Sequence, residues 1–518
     1  MNRHLFEGLN ARQQEAALMN EGPLIVVAGP GTGKTHALVR KAAYLIVEQK
    51  IQPEQILAVT FTQSAAKEMR QRLGRLLGEG FILNALWVGT FHATALKILR
   101  RENYPFGPGV SWSVIEEGKK PALLDGLVAS RQRNAFLEKL RRTKEQLAWP
   151  SDPIAQEYQR RLLAGRCLDF DDLFLYMERL FDERPKILER YRERWRFIMV
   201  DEFQDTSLAQ YRFLSRLITG NVCVIGDPDQ SIYGFTGEEF RPFEQFQKDH
   251  APCRKIVLSE NYRSRPAIVA AASQIIAKNP SPIPRELEAR LGSPGLPIEI
   301  ASYQNERQEA EMTARRIEHL LGGSSHFAID SEWAKKEEES GDYGLGDIAI
   351  FYRFHAQARG IQSALERAGL PLRIFAKKCA NVIPDISANE DVEDFRHNED
   401  GLPPGEGITL MTLHRAKGLE FQVVFIIGCE QGIVPWQRAQ NSPGINEERR
   451  LFYVGVTRAK SRLFLSWAKT RFLFGQTRDA GASPFLSDIE QKLRRFQENR
   501  APAKKRPAPL RQPTLFEL

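Results

Sequence analysis

Short, continuous apolar runs punctuate this chain, and the first of them ends at chemically capable residues. Leu24-Ile25-Val26-Val27-Ala28 runs into Gly29-Pro30-Gly31-Thr32-Gly33-Lys34-Thr35, after which apolar positions recur with helical spacing as far as Val47. That pattern predicts a strand, a glycine-rich turn and a helix. Ile56-Leu57-Ala58-Val59-Thr60, Phe197-Ile198-Met199-Val200 and Val222-Cys223-Val224-Ile225 are further runs that end at polar positions. Strands apolar throughout are covered on both faces, as in parallel sheets flanked by helices, and in such sheets ligands bind at the carboxyl ends of the strands. A second series repeats the design: Ile256-Val257-Leu258, Ile298-Glu299-Ile300, Ile348-Ala349-Ile350-Phe351-Tyr352, Ile408-Thr409-Leu410-Met411 and Val423-Val424-Phe425-Ile426-Ile427.

The expectation is an α/β chain of two parallel-sheet lobes facing one another. The first lobe takes residues 1–100 and 187–258, and a mainly helical insertion over 101–186 carries Phe170-Asp171-Asp172-Leu173. The second lobe takes 259–500. Gly322 to Gly346 reads as a charged surface loop with a short helix, and Ala380 to Gly407 is acidic with weak periodicity. The last segment, 501–518, opens as Ala501-Pro502-Ala503-Lys504-Lys505-Arg506-Pro507-Ala508-Pro509, a disordered basic linker by composition.

At 518 residues the chain exceeds a single core, and 42% hydrophobic with 27% charged residues is ordinary for a soluble protein. The net charge of +8 suits an acidic polymer as partner. Half of it sits from Arg500 onward, where five basic residues face one acid, Glu517. The five cysteines, Cys167, Cys223, Cys253, Cys379 and Cys429, lie outside metal-ligand spacing, and their odd number argues against a disulfide framework. A reducing cytoplasm fits. The N-terminus lacks the apolar core of a signal peptide, and no run of about 18 apolar residues predicts a membrane span.

Ala28 to Thr35 fits a phosphate-binding loop, with Ala28 where the strict pattern has Gly. Its glycines, Gly29, Gly31 and Gly33, with Pro30 and Thr32 between them, let backbone N–H groups approach phosphates. Lys34 would reach the β- and γ-phosphates, and the Thr35 hydroxyl would ligate Mg²⁺. Asp201-Glu202, at the end of a strand, is the matching acidic pair: Asp201 for Mg²⁺ through water, Glu202 to orient the attacking water.

In order along the chain stand Ala28–Thr35, Thr60-Phe61-Thr62, Asp201-Glu202-Phe203-Gln204-Asp205, Gly226-Asp227-Pro228-Asp229-Gln230-Ser231-Ile232-Tyr233-Gly234, Asn261-Tyr262-Arg263-Ser264, Thr412 to Phe421, and Tyr453-Val454-Gly455-Val456-Thr457-Arg458-Ala459-Lys460. The ordered set resembles the UvrD/Rep/PcrA group of superfamily 1 DNA helicases across nearly the whole chain. The resemblance implies two RecA-like lobes of the P-loop NTPase fold, ATP and Mg²⁺ as cofactors, and 3′ to 5′ movement on single-stranded and partly duplex DNA. It implies Gln230 as the γ-phosphate sensor, Gln13 as the adenine reader, Arg263 and Arg458 as arginine fingers, and Glu420 as a ribose contact. His36 stands where relatives often carry Arg. DNA contacts are implied for Thr60, Phe61, Thr90, His92, Tyr233, Phe235, Thr412 and His414, whereas Phe91, an aromatic at a strand end, reads as core. Thr236 replaces an Arg usual in the group. The basic stretch Arg131 to Lys144 is either a solvated helix face or a phosphate contact.

In that group a helical domain called 2B lies before the Thr412 motif. Here the gap from Lys378 to Ile408, including the loop 379–407, is far below domain size. The expectation is a minimal motor without 2B, monomeric and cytoplasmic at the nucleoid. It would act in repair or replication as a helicase, as a translocase that displaces proteins, or as a partner-dependent motor subunit. A non-catalytic adaptor is the reading that the intact catalytic set opposes. Gln512-Pro513-Thr514-Leu515-Phe516 resembles the pentapeptide that binds the bacterial sliding clamp.

Overall fold

The computed structural model describes residues 3–78, 85–232, 240–280, 286–322, 343–374, 406–436 and 444–498. The chain opens with β1 (Pro23–Ala28), β2 (Ile56–Thr60) and β3 (Trp87–Thr90), and then leaves for the insertion, where β4 (Ser113–Val114) and β5 (Cys167–Leu168) pair in parallel. It returns with β6 (Phe197–Val200), β7 (Asn221–Gly226) and β8 (Arg254–Leu258). The six longer strands form one wholly parallel sheet in the order β3-β2-β6-β7-β1-β8. Ile256–Leu258, grouped by pattern with the second series, therefore closes the first sheet beside β1.

The link to the second lobe contains β9 (Glu260–Asn261) and β10 (Glu288–Ala289), which pair in parallel. The second sheet is built from β11 (Ile298–Asn305), β12 (Ile348–Tyr352), β13 (Leu372–Ile374), β14 (Ile408–Thr412), β15 (Phe421–Ile426), β16 (Ala459–Leu473), β17 (Gln476–Asp479) and β18 (Arg494–Glu498). Its order is β13-β14-β12-β15-β16-β11-β18, all parallel, with β17 folded back antiparallel on β16. Two parallel sheets bear out the α/β class. β16, 15 residues long, escaped the sequence reading because charged and apolar residues mix along it.

Alternation along the strands explains why both faces are covered. In the first sheet Ile25, Val27, Leu57, Val59, Ile198 and Val200 enter one core, while Leu24, Val26, Ile56, Ala58 and Met199 enter another. The second sheet divides likewise: Ile300, Ala349, Phe351, Val424 and Ile426 on one face, Ile348, Ile350, Leu410, Val423 and Phe425 on the other. Helices begin at or within a few residues of the ends of β1, β2 and β3, each with its own cap. Gly33 begins the helix Lys34–Val47 in left-handed conformation, and the Thr62 and Thr90 hydroxyls accept from the N–H groups of Ala65 and Ala93.

The insertion has a small core of its own, Leu124, Leu140, Ala155, Tyr158 and Leu162. The helices Asp172–Glu183 and Pro185–Arg194 instead pack into the first lobe's core through Leu173, Met177, Leu180 and Tyr191. Apolar content alone cannot say which core a helix joins, so the sequence reading placed Asp172–Glu183 in the insertion and began the first lobe's return at residue 187, within the second of these helices. Most of the basic stretch is committed within the fold. Arg141 and Arg142 pair with Glu138, Arg133 pairs with Asp125, and Lys144 is fully buried between Asp169 at 2.7 Å and Asp172 at 2.8 Å. Tyr158 and Gln159 donate to the same two carboxylates. Burial, and then the neighbouring Asp169, pushes Asp172 up to about 6.

Removing Lys144 would leave two carboxylates facing each other out of water. Lys144→Met is therefore expected to destabilise the fold by about 3–5 kcal/mol, seen as an earlier urea transition. Arg142→Ala, on the exposed face of the same helix, should shift it by less than about 0.5 kcal/mol.

Candidate active site and nucleic-acid track

The phosphate loop sits between β1 and the helix Lys34–Val47. Gly31 and Gly33 have φ of 70° and 76°, in the left-handed region that favours glycine. A Cβ on Gly31 would stand 2.6 Å from the Cβ of Arg263, so the second lobe's finger segment lies directly against the loop. Lys34 Nζ is 3.6 Å from Glu202 Oε1, and Thr35 Oγ1 donates to Asp201 Oδ2 at 3.2 Å. Asp201 is pushed up by burial and by Glu202; burial also opposes charge on Glu202, but Lys34 and Lys417 outweigh it and hold that carboxyl low. The pair is thus split, one carboxylate held ionised and the other ready to take a cation. Glu202 itself has φ 51°, a left-handed conformation sparsely used by residues with a side chain. Thr35, Asp201 and Glu202 offer oxygen donors only. That set fits Mg²⁺, which keeps water and phosphate oxygens in its shell and asks for one or two protein oxygens.

Gln204 ties this acidic turn to the next strand end. Its Oε1 accepts from the Asp227 N–H at 2.9 Å, and a Cβ on Gly226 would meet that oxygen at 2.2 Å. Gln230 donates to Asp227 at 2.8 Å, and its Oε1 accepts from Arg458 Nη2 at 3.1 Å. Lys417 Nζ, also from the second lobe, donates to Asp205 and to the Gln230 carbonyl, both at 2.6 Å.

Arg458 is buried, and burial, then the neighbouring Arg263, pulls its guanidinium down to about 9, still charged at neutral pH. Arg263 Nε lies 2.7 Å from Glu420, whose other oxygen is 2.6 Å from Lys460. Its Nη1 is buried and has no hydrogen-bond partner among the described residues, a donor that a phosphoryl oxygen held on the adjoining loop could satisfy. Asn261 stitches the finger down: Nδ2 donates to the Pro30 carbonyl at 2.7 Å, and Oδ1 accepts from the N–H groups of Arg263 and Ser264. The finger segments are tied to each other as well. Ser264 Oγ donates to the Ala459 carbonyl at 2.6 Å, and the Arg265 N–H to that of Lys460 at 2.9 Å.

Two expected nucleotide contacts are otherwise engaged. Gln13 donates to the Thr32 carbonyl at 2.9 Å and accepts from the Asn10 N–H, so its amide ties the start of its own helix to the loop. Glu420 holds Arg263 and Lys460. The His36 ring accepts from Arg40, and burial, then Arg40, lowers its pKa.

Of the expected DNA contacts, Phe61 is exposed at the end of β2, while Thr60 is buried and donates to the Thr62 carbonyl. Thr90 is the helix cap described above, and Phe91 is buried in the first core. His92 is placed differently from expectation. Its ring stacks at 3.6 Å on Phe170 and meets Phe174 edge-on, and burial drives it down to about 3, so it is neutral and packs on the first lobe's helix rather than presenting a free ring. Thr412 ends β14, buried, and its carbonyl accepts from the Arg415 N–H. His414 is half-buried and lowered to about 4 by burial and then Arg353. Tyr233, Phe235 and Thr236 lie outside the described residues, as do most of the loop 379–407 and the tail 501–518.

A cleft with a lysine, an acidic pair and two opposed arginines suits phosphoryl transfer to water, and the comparisons with known proteins agree. The family described as the UvrD/REP helicase N-terminal domain matches residues 9–152 and 128–251, and the UvrD-like helicase C-terminal domain matches 256–379 and 380–470. The chain belongs to the UvrD/Rep helicase family. It is 28% identical to ATP-dependent DNA helicase PcrA of Bacillus subtilis (strain 168), covering 99% of this chain and 90% of that protein. The corresponding proteins of Staphylococcus aureus (strain MRSA252) and Leuconostoc citreum are 27% and 28% identical, over 94% of this chain and 87% and 86% of theirs.

Within this UvrD/Rep-type chain the structure adds residues that sequence reading passed over. Lys417 bridges the lobes from inside a recognised motif. Tyr262, half-exposed, accepts from Asn10 and donates to Glu260 beside the phosphate loop. Phe354, Trp436 and Phe474 form an aromatic cluster at the strand-end side of the second sheet, with ring centroids 4.7 to 6.1 Å apart. Phe474 is 56% exposed and sits at φ 54° in the turn between β16 and β17. Its ring neighbours, Phe354 and Trp436, come from two distant segments, so no local pattern announces it.

Arg458→Ala is expected to lower the kcat of ATP hydrolysis by about 10³-fold or more with KM changed far less. Arg458→Lys should recover little, since one ammonium cannot hold Gln230 and reach a phosphate together. Steady-state kinetics of the two variants checks this.

Proposed function

We propose that this chain is an ATP-dependent DNA helicase that moves 3′ to 5′ along single-stranded DNA and unwinds duplex in repair or replication. The observation that carries the reading is the composite cleft: Lys34, Asp201, Glu202 and Gln230 from the first lobe meet Arg263 and Arg458 from the second. Neither lobe holds the whole set. The direction of movement rests on the resemblance.

Thr35 and Asp201 would hold Mg²⁺, which on ATP offsets phosphate charge. Lys34 holds the outer phosphates, and Glu202, kept ionised by Lys34 and Lys417, orients water and receives its proton. Arg263 and Arg458 meet charge on the transferring phosphoryl group, which draws the lobes together. After hydrolysis that attraction falls, and Gln230 and Lys417, which touch both lobes, relay the change to the strand ends bearing Phe61 and His414. Alternate closure and release there is a stepping motion. Phe61, with Phe354, Trp436 and Phe474, supplies aromatic surface for bases, each stack worth about 1–3 kcal/mol.

We further propose that 2B is absent. The alignment with the Bacillus subtilis protein spans 687 positions against a chain of 518 residues, so at least the difference, 169 positions, has no counterpart here. That is the size of a domain. The C-terminal family match is also split between residues 379 and 380, where 2B would enter. This favours a second reading, a translocase that displaces proteins with little unwinding. In either case the motor would work at the nucleoid, and Gln512–Phe516 would tether it to a sliding clamp.

The test is ATP hydrolysis with and without single-stranded DNA, in wild type and Lys34→Ala, alongside strand separation of 3′-tailed and 5′-tailed duplexes. DNA-stimulated hydrolysis that Lys34→Ala abolishes, with unwinding of the 3′-tailed substrate alone, is expected. Stimulation without unwinding would favour the protein-displacing reading, and absence of stimulation would overturn both. Deleting residues 512–518 should abolish clamp binding in a pull-down with purified clamp while leaving hydrolysis unchanged.

A further inference from the structure

The β3 edge of the first sheet gathers cations that have no acidic partner among the described residues. β3 is its terminal strand, and Trp87, the first residue of β3, is buried beneath cations. Lys97 Nζ stands 4.2 Å from the Trp87 ring centroid and the Arg194 guanidinium 5.8 Å. Arg70 donates to the Val88 carbonyl on the same strand, and Arg101 ends the helix that bears Lys97. The four residues come from three helices, Gln63–Leu77, Phe91–Arg101 and Pro185–Arg194.

Among the described residues none of the four has a carboxylate within ion-pair distance, and Arg194 Nε is buried without a hydrogen-bond partner. Lys97 is lowered by burial and then by Arg70, Arg194 and Arg101, with no acid offsetting them. The adjoining carboxylate, Glu102, is committed to Arg190 and to the Tyr191 hydroxyl. Gathering like charges this way works against the compact state. Contact with the aromatic ring fixes the cations in place, which a purely solvated charge run would not need.

We infer that this edge is a second DNA contact, a phosphate-binding surface for the duplex arm of the substrate. Trp87 opens β3 and Arg194 precedes β6, so the cations gather toward the amino ends of the strands. Thr60, Phe61 and Thr90 stand at the opposite, carboxyl ends, and the helix between spans about 15 Å. A single strand crossing the carboxyl ends does not reach the patch; a duplex joined to that strand and turned down the edge does. Phosphates suit it better than a protein partner. Not one of the exposed large apolar side chains comes from the three helices or from β3, so a peptide would find charge there but no apolar anchor.

The inference rests on the DNA reading above, and the experiment separates the two. Full-length wild type and the Lys97→Gln/Arg101→Gln double variant are titrated with a 3′-tailed duplex and with the tail alone, from about 50 to 200 mM salt. Arg101→Gln by itself, at the exposed helix end, serves as the milder variant, and thermal melting confirms folding of both. The double variant should bind the tailed duplex about tenfold more weakly, with its log–log salt slope reduced by about 2, one unit per phosphate contact. Its affinity for the tail and its single-strand-stimulated hydrolysis should equal wild type. Unchanged duplex affinity and slope, or equal losses on both DNAs, would overturn the inference while leaving the motor intact. Polyglutamate bound by wild type, and lost in the variant with duplex binding unchanged, would also overturn it and assign the patch to an acidic protein. Wild type that binds neither DNA would remove the DNA reading itself.

Discussion

A buried guanidinium needs negative charge, and among the described residues no carboxylate is in contact with Arg458. It is held by carbonyls of its own lobe and by Gln230 of the other, with Arg263 close enough to lower it further. Such a group is expensive to keep charged away from water unless an anion stands near. The nearby charges that favour it are Glu202 and Glu420, and Glu420 is already shared by Arg263 and Lys460. The rest of the cleft follows from this shortfall. A polyphosphate on the loop supplies the missing negative charge, and it does so most fully when the lobes are together.

The fold serves that arrangement by repetition. Apart from β17 both sheets are parallel, and they are buried on both faces, so within each sheet the parallel strands deliver their last residues to one rim. β1, β6 and β7 end at the phosphate loop, the acidic pair and the Gln230 turn; β14 ends at Thr412. The parallel pair β9 and β10 lies where the chain passes from one lobe to the other, and it fixes Asn261 against Pro30. The insertion stands apart chemically: Lys144 is buried between Asp169 and Asp172, and Arg133, Arg141 and Arg142 pair with carboxylates of the same insertion.

How legible this was depends on how local each signal is. Strand ends, the glycine turn and Asp201-Glu202 could be read because each is written in a few adjacent residues, and the structure places them as expected. Gln13, Glu420 and His92 carry nucleotide or DNA roles by resemblance, and the contacts they make within the chain, with Thr32, Arg263 and Phe170, are distant in sequence and invisible to any short window. The stretch Arg131 to Lys144 could be read as a solvated face or a phosphate contact, and charge composition did not announce the burial of Lys144 between Asp169 and Asp172. The long β16 and the Phe354–Trp436–Phe474 cluster left no periodic trace, the first because it mixes charged and apolar residues, the second because three segments build it.

The two bonds joining Ser264 and Arg265 to Ala459 and Lys460 make the two arginines a single mechanical part. A displacement of either backbone segment is thereby passed to the other, so a motor of the kind proposed would bring both guanidinium groups to a nucleotide, and withdraw them, as one jaw rather than as two independent fingers.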